Sequence, residues 1–139
     1  DPCATDRWDR LLAGGKRVWG FANDDCHRID DIGVAWNMVQ CERRDTAALD
    51  ALRHGRFYAT TGVLFDRIEV DGPKLRVAAQ NADHIAIYSD YACRRARAYA
   101  SEIEFTVPSD ASYSYIRVEC SGPCASRAWP QPCFRRSDG

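Results

Sequence analysis

The sequence predicts an α+β fold: an α/β piece up to Gly55, then a small antiparallel β-sandwich. Three observations predict it. Between Thr5 and Gly55, two stretches with helical apolar spacing flank two short apolar runs, and helix, strand, loop, strand, helix is the order of an α/β piece. After Gly55 the helical spacing stops, and apolar residues alternate with polar ones in one run after another, the period-two signature of half-buried strands. The chain has 139 residues, 45% hydrophobic and 11% aromatic, which is enough for one domain, or one small domain with part of another, around a real core.

The elements follow in order. "TDRWDRLLAGGK" reads as a helix: Thr5 or Asp6 can cap it, Trp8, Leu11 and Leu12 form an i, i+3, i+4 stripe, and Gly14-Gly15 end it. "RVWGFA" reads as a short strand and "GVAWNMVQC" as a second β-like run. "DTAALDALRHG" reads as a second helix, with Asp45 as cap, Ala48, Leu49 and Leu52 on one face, and Gly55 as terminator. Beyond it, "RFYATT" is strand-like, and "FDRIEVDGPKLRVAA" is a hairpin turning at Asp71-Gly72-Pro73. "HIAIYS", "EIEFTV" and "YSYIRVEC" complete the set. In the last, Tyr113, Tyr115, Arg117 and Glu119 share one face, and Ile116 and Val118 take the other.

Charge and composition exclude several classes. A net charge of −1 gives no bulk electrostatic reason to expect nucleic acid or an anionic membrane as partner. Only two of the nineteen basic residues are lysines, Lys16 and Lys74, and the arginines are scattered rather than patched. No apolar run approaches the roughly 20 residues of a membrane helix, and no charged-then-apolar leader opens the chain. The opening "DPCATD" does not resemble a natural initiation, so a mature or trimmed product is expected. The seven cysteines form no Cys-x-x-Cys, which argues against a zinc ribbon or a redox motif. Cys120, Cys124 and Cys133 crowd a Gly/Pro-containing tail that suits a disulfide staple. Such density points to an extracellular or periplasmic location over a cytoplasmic one, and the odd count leaves a thiol free or intermolecular.

The densest chemistry lies in Gly20–Gly33, "GFANDDCHRIDDIG", which packs four aspartates beside His27. Carboxylates that close repel unless water or a cation screens them. Asp25 and His27 are two apart, so on extended backbone both project to one side and can meet one cation, a pairing that suits zinc, manganese or iron. Asp24 is placed to orient His27, while Asp30 and Asp31 are expected to face water. An Asp-x-His also arises by chance, and the plain alternative is a solvated acidic loop. His54 reads as a polar helix C-terminus and His84 as ordinary exposed polarity. Tyr58, Tyr113 and Tyr115 fit half-buried sheet faces. There is no Gly-rich phosphate loop, no Gly-x-Ser-x-Gly and no His-Glu-x-x-His.

The run "WDRLLAGGKRVWGFANDDCH", continuing through "GVAWNMVQC" to "ALDALRHGRFYATTG" and "IEVDGPKLRV", resembles the C-terminal part of the PHP-superfamily (polymerase and histidinol phosphatase) metal-dependent phosphoesterases with their β-rich appendage. The resemblance covers nearly the whole chain. The D-D-x-H with its preceding helix and the F-Y-A-T-T-G are its most specific parts. It implies that residues 1–55 are the C-terminal α/β segment of a PHP-like barrel and 56–139 an antiparallel β-sandwich appendage, and that Asp25 and His27 are the last metal-ligating pair. The family's site also uses a His-x-His near the N-terminus and further His and Glu ligands. This chain has only His27, His54 and His84, with no two of them two apart, so those ligands would come from a missing N-terminal barrel segment, in the same parent chain or a separate one. The implied enzyme is a hydrolase of phosphoester substrates with a divalent metal (zinc, manganese or iron), inactive without that segment. The other expectation is a non-enzymatic, cysteine-stapled β-rich structural or interaction module. It would retain an ancestral acidic loop and could self-associate through strand edges or the odd cysteine.

Overall fold

The structure, a computed structural model, describes residues 3–44 and 46–135. It is strand-rich, and every strand pairing is antiparallel. Helix α1 (Thr5–Ala13) is the first regular element among the described residues, followed by a 3-10 turn at Ile29–Asp31, β1 (Trp36–Val39), α2 (Ala47–Arg53) and β2 (Phe57–Thr60). From there every regular element among the described residues is a strand, apart from a 3-10 turn at Pro123–Ala125: β3 (Phe65–Asp71), β4 (Lys74–Ala79), β5 (His84–Ser89), β6 (Cys93–Ala98), β7 (Glu102–Thr106), β8 (Tyr115–Ser121), β9 (Arg127–Pro130) and β10 (Cys133–Phe134).

The strands form two sheets. The larger runs β1-β2-β9-β8-β5-β6, with β10 also on β8; the smaller runs β3-β4-β7. They share one core: Leu75, Val77 and Ala79 of β4 meet Ile85 and Ile87 of β5, Val118 and Cys120 of β8, and Ala128 of β9. The β3–β4 hairpin keeps the expected turn, with Asp71 opposite Lys74 and Gly72 at φ +55, a conformation glycine adopts without strain.

Strand β8 alternates as its sequence predicts, but both of its faces are covered. Val118 and Cys120 point into the inter-sheet core. Tyr115 and Arg117, on the opposite face, are buried against α1. The large sheet therefore carries residues from both sides of Gly55, β1 pairing with β2 and β2 with β9. No parallel barrel segment forms in residues 1–55: β1, which would have been a parallel barrel strand, pairs antiparallel.

"RVWGFA" is not a strand. The segment is extended, and its backbone is met by side chains in place of a neighbouring strand. Gln131 donates from Nε2 to the Gly20 carbonyl (2.8 Å) and accepts from the Gly20 N–H at Oε1 (2.8 Å). Asn37 does the same for Ala22, at 2.8 and 3.0 Å. The Trp8 indole donates to the Val18 carbonyl and the Trp19 indole to the Arg53 carbonyl, both at 3.0 Å.

Both helices form where expected, and their expected apolar faces are buried only in part: Leu12 is buried and Trp8 and Leu52 are half-buried. Leu12 and Asp9 of α1 are buried, while Leu11 is half exposed. In α2 Ala51 is fully buried and Ala48 and Leu49 are exposed. Neither Thr5 nor Asp6 caps α1, whose N-cap is Ala4 without a side-chain bond. Asp45, the expected cap of α2, lies outside the described residues.

Among the described residues no disulfide forms, and the cysteines at 26, 41, 93, 120, 124 and 133 are free thiols. The expected tail staple fails on placement, since Cys120 is in the core and Cys124 is exposed on the 3-10 turn. Backbone pairing supplies the rigidity instead, through β9, β10 and the Thr61 N–H donating to the Arg127 carbonyl at 2.8 Å. Burial, with the Glu119 charge adding, pushes the Cys120 thiol up to about 12, which holds it protonated.

Candidate functional site

The acidic stretch folds as a surface loop built on its own carboxylates. Asp24 accepts from the Ala35 N–H at Oδ1 (2.8 Å) and from the Gly33 N–H at Oδ2 (2.9 Å). Asp31 Oδ2 accepts from the N–H groups of His27 (3.0 Å) and Arg28 (2.7 Å), and Asn23 Oδ1 from that of Asp25 (3.0 Å). These are the local side-chain-to-backbone bonds that Asp and Asn favour in turns. The hydrogen bond from Ala35, then that from Gly33, holds the Asp24 carboxyl below its usual value.

Two expected roles change as a result. Asp24 orients the loop backbone rather than His27. Asp31, expected to face water, serves as a loop acceptor, and only Asp30 keeps the expected exposure.

Asp25 and His27 are both exposed, but not as neighbours on extended backbone. Asp25 has φ +47, in the left-handed region, so the alternation that would align the two side chains is broken. Instead the His27 ring folds back on the main chain, with Nδ1 2.6 Å from the Asp25 carbonyl. A carbonyl can only accept, so Nδ1 is the donor of this contact, and in the neutral ring the Nε2 lone pair is the one left over. Cys26 donates from its thiol to the Arg28 carbonyl at 3.3 Å. Among the described residues, no group of three or more His, Cys, Asp and Glu side chains could hold a metal ion.

The ground around the loop is apolar. Phe21, Ile29, Ile32, Val34, Trp36 and Met38 all stand exposed, Ile29 at 82% and Ile32 at 65%. Scattered exposed hydrophobics are ordinary; here six fall within eighteen residues of the chain, two of them, Trp36 and Met38, in β1. Among the described residues β1 ends the large sheet and pairs only with β2.

The remaining sequence candidates are structural. His54 ends α2, its Nδ1 2.8 Å from the Asp50 carbonyl and 3.1 Å from the Asp50 carboxylate. His84 starts β5, with its ring 5.1 Å from that of Tyr99. Tyr58 packs edge-on against Phe65.

One polar cluster escaped the sequence reading. Asp9 and Arg117 are each 2% exposed. Arg117 donates to Asp9 from Nη2 at 2.7 Å and from Nε at 3.1 Å, and the Tyr115 hydroxyl donates to Asp9 at 2.7 Å. Arg117 Nη1 reaches Glu119 at 3.1 Å, and the guanidinium lies 5.0 Å from the Tyr88 ring centre. Burial, the largest influence, disfavours the Arg117 cation, but Asp9 and Glu119 outweigh it and the net shift is upward. Burial and then Asp9 raise the Tyr115 phenol. With both Asp9 oxygens occupied, the cluster is a clamp between α1 and β8, not a reactive centre.

Comparison with protein-family models, with curated proteins and with solved structures gives no match. Among the described residues, no helix is long and apolar enough to cross a membrane.

Proposed function

We propose that the chain is the C-terminal part of a PHP-like metal-dependent phosphoesterase, contributing Asp25, His27 and a β-rich accessory layer, and that alone it is inactive. The observation that carries this reading is the state of His27. A ring whose Nδ1–H is fixed on a carbonyl, with Nε2 free, is in the tautomer that metal-ligating histidines use. The exposed apolar side chains around the loop support it too, because the missing segment would cover them.

The residues present do not make a metal site by themselves. Two ligands on one loop leave the coordination sphere of zinc, manganese or iron incomplete, and no hydrolytic step follows from this chain. In the complete protein the metal would supply Lewis-acid activation of water and neutralise the leaving oxygen, with the rest of its ligands coming from the missing segment.

Zinc and manganese titration calorimetry on the wild type and on Asp25→Ala/His27→Ala, beside a phosphatase assay, tests the proposal. Weak zinc binding abolished by the double substitution, with no turnover, is the expected result. Hydrolysis that survives the double substitution would overturn it, as would zinc binding that ignores the substitution.

The free edge of β1 beside the same apolar surface favours a second reading, a β-rich interaction module that adds a strand from a partner chain or a second copy. A concentration-dependent dimer, abolished by placing proline at Val39 on that edge, would support the module reading.

A further inference from the structure

A cleft of about 610 Å³ opens between the β3–β4 turn, the end of β7 and the β8/β10 pair, away from the acidic loop. Its size falls within the range of small-molecule sites. Leu75, Val107 and Ile116 give it an apolar lining, with Tyr113 and Phe134 as aromatic walls. Lys74 and Arg135 are the charged groups that line it, and no carboxylate does so among the described residues.

The cations around it are poorly neutralised. Lys74 has only a loose approach to Glu104, at 3.9 Å. Arg135 has no carboxylate at ion-pair distance among the described residues, and neither has Arg17, whose guanidinium lies 5.1 Å from the Phe134 ring centre. A third guanidinium, that of Arg95, sits 4.5 Å from the Tyr113 ring and 3.5 Å from Asp90. A cleft with an apolar lining and two lining cations, one loosely paired and one with no carboxylate at ion-pair distance among the described residues, is complementary to an apolar body with an anionic head.

We infer that this cleft binds an amphiphilic anion, a carboxylate carried on an apolar chain or ring. The apolar part lies against Leu75, Val107 and Ile116 between the two sheets, and the carboxylate meets Lys74 and Arg135 at the mouth. Cys133 also lines the cleft, so occupancy shields its thiol. The inference does not rest on the phosphoesterase reading, since none of these residues belongs to the acidic loop.

The test uses three probes of one chain length, decanoate, decanol and decylamine, kept below their micellar concentrations. Calorimetry reads affinity, and mass spectrometry reads alkylation of Cys133. Decanoate should bind at least about tenfold more tightly than decylamine, a difference near 1.4 kcal/mol, and should slow alkylation of Cys133 but not of Cys93. Lys74→Glu/Arg135→Glu changes two exposed residues and should invert the preference. Ala111→Trp, which fills the cleft, should abolish binding of all three, with thermal unfolding confirming that each variant is folded. Equal affinity for the three probes would overturn the inference. So would absence of decanoate binding, or binding that leaves Cys133 unprotected and survives Ala111→Trp. If Ala111→Trp fails to fold, the charge-reversed variant decides alone.

Discussion

Asp9 shows how much one residue can carry when both its oxygens are used. Its carboxylate is buried with Arg117, and an ion pair removed from water is strongly destabilised when one partner is lost. Arg117→Met should therefore lower the unfolding free energy by about 3–5 kcal/mol in a denaturant titration. Asp9→Leu/Arg117→Met should recover most of that, because neither member of the buried pair is then left alone and Glu119 keeps Arg127 at 3.8 Å. A single variant as stable as the wild type would show that water reaches the pair. Asp24 offers a finer test. Its folded value is depressed by the Ala35 and Gly33 amides, so its contribution is complete above the ordinary 3.8 and is lost as pH falls through the lower folded value. The amide proton shifts of Gly33 and Ala35 should titrate together with a midpoint below 3.8, and the step should vanish in Asp24→Ala; a midpoint at or above 3.8 would refute the bonding. At this scale the sequence was partly readable. That Arg117 shares a face with Tyr115 and Glu119 followed from alternation, but its burial did not, because the carboxylate that permits it lies 108 residues away. The carboxylates of the acidic stretch drew attention as candidate metal ligands, whereas Asp24 and Asp31 serve the loop's own backbone.

Elements were legible where periodicity alone decides them. Both helices, the β3–β4 hairpin, β5, β7 and β8 follow from spacing. Strand β6, "CRRARA", was invisible because an exposed, arginine-dense sequence carries no apolar alternation; β9 contains a proline and β10 has two residues. The opposite error, reading "RVWGFA" as a strand, has a physical cause. The segment is extended and apolar, but its hydrogen bonds go to Gln131 and Asn37 side chains, and no local pattern announces that. Two tryptophans fix its course by sitting on glycines: a Cβ on Gly20 would lie 2.7 Å from the Trp8 ring, and one on Gly55, at φ +70, 2.9 Å from that of Trp19. Trp8 cannot swing away without losing its bond to the Val18 carbonyl. Gly20→Ala should cost about 1–3 kcal/mol by overpacking, read as a lower denaturation midpoint, and Trp8→Phe in the same chain should relieve part of it. An unchanged midpoint would mean that the segment is free to move off α1.

At the scale of the whole molecule, the large sheet joins what the composition divides. An α/β character ends at Gly55 and an all-β one begins, yet β1 lies in the same sheet as β8, and α1 covers the face of β8 opposite the inter-sheet core. A fragment from Arg56 onward would keep the inter-sheet core but leave Tyr115 and Arg117 bare, the latter without Asp9. That fragment should be expanded or aggregated by size-exclusion chromatography and should unfold without a cooperative transition. A compact monomer with a sharp transition would show that the β layers stand alone. The long span between α1 and its partners also bears on the order of events during synthesis. Helix α1 leaves the ribosome before its partners do, since its seat includes Arg117, and Gln131, which grips Gly20, lies 111 residues downstream. Closing loops of that length is slow, so the α1 segment is made before its partners and docks after the sheets have paired. Until the final strands emerge it is the part of the nascent chain most open to proteases and chaperones.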